Sequence, residues 1–324
     1  MLLFIAAIVV GLFLLIWSSD HFVDGASSIA RNMGVSPLIV GMFIIGLGTS
    51  APEMLVSATA AFQGNPGLGI GNAIGSNITN ITLVLGVTAT FYILPVHSSL
   101  LKKELPLVLV SAVLAWVLML DNHFSRMDSI ILVVALAFIL SWMLISVKKE
   151  AHNHDPLIDE TIEELPEKLS SKKSFIWTGV GLVFLLISSK MLVWGASNIA
   201  SHFGVSDLII GLTIVAIGTS LPELAATISS ARKGETDLAV GNIVGSNLFN
   251  TLAVLAIPAF IQPLDLPEGV LSRDMPIMLV LTVILLIFSF GCFKGGKYKI
   301  THAKGTFLFV AFVAYEVLLF YQAV

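Results

Sequence analysis

The chain has 324 residues, 56% of them hydrophobic and 12% charged, with a formal net charge of −4. That charged fraction is about half the ~25% usual in soluble domains, too little to solvate one soluble core. The single Cys292 excludes a disulfide scaffold, the hydrophobic content excludes disorder, and the charge gives no reason to expect nucleic acid. An integral membrane protein remains.

A hydrocarbon core of about 30 Å needs about 20 apolar residues per helix. Ten such stretches run approximately over 2–19, 37–61, 68–92, 105–120, 129–147, 175–195, 207–231, 238–262, 275–291 and 305–322. The first lacks a basic start and reads as a retained helix rather than a signal peptide. With both termini outside, the cytoplasmic loops collect the Lys and Arg residues, and only Arg126, Lys190 and Arg273 of the 17 fall elsewhere. The longest loop, about 148–174, carries His152, His154, Asp155, Asp159, Glu160, Glu163, Glu164 and Glu167. It reads as a solvated linker. A regulatory cation site is the alternative, but the acidic spacing does not match an EF-hand.

The chain then repeats itself. Gly34-Val35-Ser36 recurs as Gly204-Val205-Ser206, and Gly48-Thr49-Ser50-Ala51-Pro52-Glu53 as Gly218-Thr219-Ser220-Leu221-Pro222-Glu223. Gly71-Asn72-Ala73-Ile74-Gly75-Ser76-Asn77-Ile78-Thr79-Asn80 recurs as Gly241-Asn242-Ile243-Val244-Gly245-Ser246-Asn247-Leu248-Phe249-Asn250. The offset is 170 throughout, with no gap. Five helices separate each residue from its copy, and an odd number reverses direction across the bilayer. The expected fold is therefore an all-α membrane protein, ten transmembrane helices arranged as two inverted five-helix repeats. The first repeat spans 1–147, with its motif block at about 34–86. The second spans 175–324, with its block at about 204–256. Secondary transporters built this way bind substrate between the repeats near the midplane.

Glu53 and Glu223 fall mid-helix, where a carboxylate costs roughly 2.5–3.5 kcal/mol on insertion scales. Two at matching positions point to a shared function rather than to snorkelling acids. Pro52 and Pro222 should break their helices and free the carbonyls of Gly48 and Gly218, a break tolerated at membrane depth around a protected cavity. A plain kink is the alternative. Thr49, Ser50, Thr219 and Ser220 add hydroxyls beside the break. Asn72, Ser76 and Asn80 step by four and share a helix face, as do Asn242, Ser246 and Asn250, with Asn77 and Asn247 alongside. Helix packing through the intervening glycines is a second use of that face. All these donors are hard oxygens with no His or Cys among them, which favours Ca²⁺ or Na⁺ over Zn²⁺ or copper. Two negative charges balance one Ca²⁺ or two Na⁺, so exchange follows as an expectation.

These paired blocks resemble the two alpha repeats of the sodium/calcium exchangers, in the cation/Ca²⁺ exchanger superfamily, and the likeness spans essentially the whole chain. The resemblance implies a core of helices 2, 3, 7 and 8 with Glu53 and Glu223 as shared carboxylates. It implies hydroxyl ligands from Thr49, Ser50, Ser76, Thr219, Ser220 and Ser246, and backbone carbonyls from Gly46 and Ala216. Asn80 and Asn250 would occupy the centre, and helices 1 and 6 would slide across the core. Many relatives carry Asp where this chain has Asn250, so the formal site charge here is −2.

The function expected is Na⁺/Ca²⁺ antiport by alternating access, with Ca²⁺/H⁺ antiport on the same scaffold as the alternative and a channel behind it. No cofactor is expected beyond the transported Ca²⁺ and Na⁺, and no protein partner is implied beyond the lipid bilayer. An enzyme is disfavoured because the Ser and Thr hydroxyls have no neighbouring base. The lack of a targeting extension suits a bacterial inner membrane.

Overall fold

The computed structural model describes residues 1–96, 103–152, 169–203, 216–290 and 298–323. Helix dominates these residues, as a chain crossing lipid requires, because every backbone polar group must be satisfied within its own segment. In chain order the helices are α1 Leu2–Met33, α2 Pro37–Phe62, α3 Pro66–Phe91, α4 Glu104–Leu118 and α5 Arg126–His152. After the linker come α6 Ser171–His202, α7 (described as Ala216–Thr219 and Leu221–Arg232), α8 Thr236–Ile261, α9 Val270–Phe290 and α10 His302–Ala323. Among the described residues eight helices are long and apolar enough to cross a membrane, and α4 is a shorter apolar helix. Large apolar side chains such as Phe13, Phe138, Phe175 and Val310 are exposed. A surface of that kind is stable in lipid and not in water, so the chain is a multi-pass integral membrane protein.

Two expected boundaries change. The first span, expected over 2–19, continues to Met33, and the sixth runs from Ser171 to His202 rather than 175–195. Hydropathy ended the first at Asp20, but Asp20, Asp24 and Arg31 stay on the helix because each pairs with a charged partner. The fifth helix reaches His152. The acidic stretch from Asp155 to Glu167 and the Gly204-Val205-Ser206 copy lie outside the described residues.

Small residues set the packing. α1 and α6 run along one another, and the glycines of their seam are repeat mates, Gly11 with Gly181 and Gly25 with Gly195. A Cβ at Gly25 would sit 2.5 Å from the Thr178 nitrogen, and one at Gly181 2.6 Å from the Phe22 nitrogen. At the centre α8 is buried along most of its length, and α3 nearly so. α8 lies directly on the first half of α2, where a Cβ at Gly241 would fall 2.5 Å from the Leu38 carbonyl oxygen.

Two short antiparallel ribbons complete the frame. β1 Leu94–Pro95 pairs with β4 Lys299–Ile300, and β2 His123–Phe124 with β3 Leu264–Asp265. β1 and β3 are repeat mates, and each takes its partner from the opposite half of the chain. The halves are thereby stitched together at both ribbons.

A Cβ at Gly245 would land on the Met42 backbone, which cannot yield as a flexible side chain can. Gly245→Ala is therefore expected to lose about 1–3 kcal/mol of stability, the usual cost of overpacking, as a lowered thermal midpoint in detergent.

Candidate ion-binding site

The site begins with two broken helices. In α2, the short helix Leu47–Thr49 stops at Ser50 and a new one starts at Ala51; in α7, Ala216–Thr219 stops at Ser220 and a new one starts at Leu221. Ser50 has φ −79° and ψ 0°, and Ser220 has φ −90° and ψ 4°. Pro52 and Pro222 stand in the first turn of the new helices, where a missing N–H costs nothing. Glu53 and Glu223 follow them in that turn, and the positive end of the helix dipole favours a carboxylate there. The Gly-Thr-Ser-x-Pro-Glu pattern is thus a helix end, a break and a charged helix start.

Both acids are buried, Glu53 0% and Glu223 1% exposed. Neither carboxylate has a hydrogen-bond partner on either oxygen. The surrounding orphans match residue for residue across the repeat. They are the hydroxyls of Ser50 and Ser220, both amide atoms of Asn80 and of Asn250, and the amide oxygens of Asn77 and Asn247. Buried polar atoms are nearly always paired, so such a cluster calls for something to fill it. Wide π-helical turns begin on Asn80 and Asn250 alike, an irregularity often found at functional sites. Among the described residues no three His, Cys, Asp or Glu converge. The donor set is two carboxylates and neutral oxygens, which suits a hard cation.

The other expected ligands divide. Thr49, Gly46 and Ser246 meet across the two halves: the Ser246 hydroxyl donates to the Gly46 carbonyl at 3.3 Å and lies 3.4 Å from the Thr49 hydroxyl. Ser76 is buried on α3, and Thr219 is half-buried beside its break. Asn77 is partly committed, because its Nδ2 donates to Thr251 Oγ1 at 3.0 Å. The breaks also differ in detail. Ser50 N–H reaches the Gly46 carbonyl, and Ser220 N–H reaches the Ile217 carbonyl. The Gly218 carbonyl, expected to be free, instead accepts the Ser189 hydroxyl of α6 at 2.7 Å. The motif spacing could not show this, because Ser189 lies 29 residues away on a different helix.

Asn72 and Asn242, expected to face the site, are used for support. Asn72 Nδ2 donates to the Glu53 carbonyl and to Ser57 Oγ, and Asn242 Nδ2 to the Glu223 carbonyl and Thr227 Oγ1. Ser57 and Thr227 escaped the sequence reading. Their signal was a polar residue four positions after each acid, one turn along the same helix face.

Beside the site, one end of α1 is tied to the corner between α7 and α8. Arg232 donates to both oxygens of Asp20 at 2.6 Å, Lys233 to Asp24 at 2.6 Å, and Ser27 and Arg31 to Glu235 at 2.6 and 3.1 Å. The repeat mates are Lys190, Trp194, Ser197 and Ser201 on α6, with Phe62, Gln63 and Asn65 at the other corner. Those side chains cannot form the same ion pairs, so the tie exists at one end only.

Comparison with known proteins decides the family. The sequence pattern of the Sodium/calcium exchanger protein family matches residues 3–145 and 173–321. The chain belongs to the sodium/calcium exchanger family. It is 46% identical to the putative antiporter CaxA of Alkalimonas amylolytica, over 97% of both chains. It is 35% identical to the sodium/calcium exchanger MaX1 of Methanosarcina acetivorans, again over 97% of both. Among solved structures, the sodium-calcium exchanger NCX_Mj soaked with Na⁺ and Ca²⁺ superposes with a TM-score of 0.82 at 32% identity, over 97% of both chains. This is a family of cation/Ca²⁺ antiporters, not of enzymes.

The unpartnered carboxylates carry a stability cost in the ion-free protein, as polar sites built for function commonly do. Glu53→Gln is therefore expected to raise the thermal midpoint in chelator and Na⁺-free buffer at pH 8, read by unfolding in detergent. A lowered midpoint would mean that the carboxylate already has a stabilising partner in the empty site.

Proposed function

We propose that this protein exchanges Na⁺ for Ca²⁺ by alternating access, with Glu53 and Glu223 as the shared ligands of one cation pocket. The observation that carries the reading is the matched set of buried, unpartnered oxygens from both halves, centred on two buried carboxylates. One Ca²⁺ or two Na⁺ neutralise the formal charge of −2. An empty, doubly charged pocket is costly to occlude from water, so return without an ion is disfavoured and exchange is favoured. The hydroxyls of Thr49, Ser50, Ser76, Thr219, Ser220 and Ser246 complete the ligand shell with the Gly46 and Ala216 carbonyls. Asn80, Asn250, Asn77 and Asn247 supply its amide oxygens.

The glycine seam between α1 and α6 supports a sliding pair. Smooth backbone contact lets two helices move as one unit over the buried core of α2, α3, α7 and α8. The ion pairs from Asp20, Asp24 and Glu235 hold one end of that unit against the α7–α8 corner. Basic residues place this end on the cytoplasmic side with both termini outside, and a bacterial inner membrane suits the chain. A 38% identical relative, the inner membrane protein YrbG of Escherichia coli, supports the same membrane.

In proteoliposomes, Ca²⁺ uptake is expected to follow an imposed Na⁺ gradient with the pH gradient collapsed. Glu53→Gln or Glu223→Gln is expected to abolish it. Uptake that follows the pH gradient alone would make the protein a Ca²⁺/H⁺ antiporter, and wild-type flux in either variant would refute the pocket.

A further inference from the structure

Asn242 differs from the amides around it. Asn80 and Asn250 have no partner for either amide atom, whereas Asn242, fully buried, has partners on both. Its Nδ2 donates to the Glu223 carbonyl at 3.2 Å and to Thr227 Oγ1 at 2.8 Å. Its Oδ1 accepts from Thr49 Oγ1 at 3.2 Å and from Ser246 Oγ at 3.4 Å. The orientation of the amide is fixed by chemistry, because the Glu223 carbonyl can only accept and must therefore face the nitrogen. One side chain on α8 thus joins the backbone of the acid on α7 to a hydroxyl on α2 from the opposite half.

A threonine hydroxyl has one proton and two lone pairs. The Thr49 hydroxyl also lies beside the Glu223 carboxylate. Given to that carboxylate, its proton would occupy one of the acid's acceptor sites and turn the proton, rather than the lone pairs, of the hydroxyl toward the pocket. Given to Asn242 Oδ1, it leaves both the carboxylate and the Thr49 lone pairs open. Ser246 is disposed in the same way, with its proton directed to the Gly46 carbonyl or to Asn242 Oδ1.

We propose that Asn242 is a positioning residue for the cation pocket: by accepting the Thr49 proton it keeps that hydroxyl and the Glu223 carboxylate as paired acceptors, and so sets the affinity of the pocket. The inference rests on the exchanger reading above and adds a residue that acts through its neighbours.

The test is a double-mutant cycle on purified full-length protein, reading Ca²⁺-induced thermal stabilisation in Na⁺-free detergent, with Ca²⁺ alone as the probe. Asn242→Leu, close in size and without hydrogen-bonding atoms, is expected to raise the half-saturating Ca²⁺ concentration tenfold or more. Thr49→Val is expected to raise it as well. The two changes combined are expected to do little more than the larger single one, because each removes the same oriented hydroxyl. A wild-type half-saturation in Asn242→Leu, or losses that simply multiply, would overturn the proposal. If Asn242→Leu does not fold, Asn242→Ser is used in the same cycle. Failure of both to fold would make Asn242 a structural residue and also overturn it. Glu53→Gln serves as the reference. If Ca²⁺ still stabilises that variant as it does wild type, the pocket assignment fails; if Glu53→Gln loses the Ca²⁺ response but the cycle is additive, only the role of Asn242 fails.

Discussion

Two buried carboxylates, one from each repeat, lie in the interior of the protein without hydrogen-bond partners. Every other feature of the interior makes sense as a response to that condition. The helix breaks at Ser50 and Ser220 bring positive dipole ends to the acids. The hydroxyls and amides around them add neutral oxygens but no compensating charge. A buried charge must be paired or coordinated, and on the proposed reading a transported cation supplies that pairing. A protein meant only to be stable would have filled this space with leucine.

The repeat supplies the ligands in matched sets, yet the halves are not copies in use. Asn72 and Asn242 hold the acid backbones in the same way, but the Asn242 amide also reaches across to Thr49. Asn77 binds Thr251, whose repeat mate is Ile81. The ion pairs between α1 and the α7–α8 corner have no possible equivalent at Phe62, Gln63 and Asn65. A perfectly symmetric chain would favour neither access state. On the proposed mechanism, ion pairs present at one end only would give the two access states different energies.

Much of the site was legible because its chemistry is carried by short motifs written twice. A carboxylate amid apolar sequence, a proline just before it and hydroxyls just ahead of that leave few readings, and repetition removes most of the rest. What local spacing could not reveal was the competition for each atom. The Gly218 carbonyl accepts from Ser189 of α6, and both amide atoms of Asn242 hold its neighbours rather than standing open. The first helix looked finished at Asp20, because hydropathy counts a charge as a cost and cannot see the arginine that offsets it.

From its residues alone the chain declared a membrane protein, a duplicated one, with two acids and an oxygen-rich neighbourhood, since composition and periodicity are properties of the chain itself. Only the tertiary structure decided which of those oxygens are left without partners and which are consumed in holding the others, and which end of α1 is fastened. Those outcomes depend on contacts between residues far apart in sequence, such as Thr49 with Asn242 or Asp20 with Arg232. A hydrogen bond is settled by which groups the fold brings within reach.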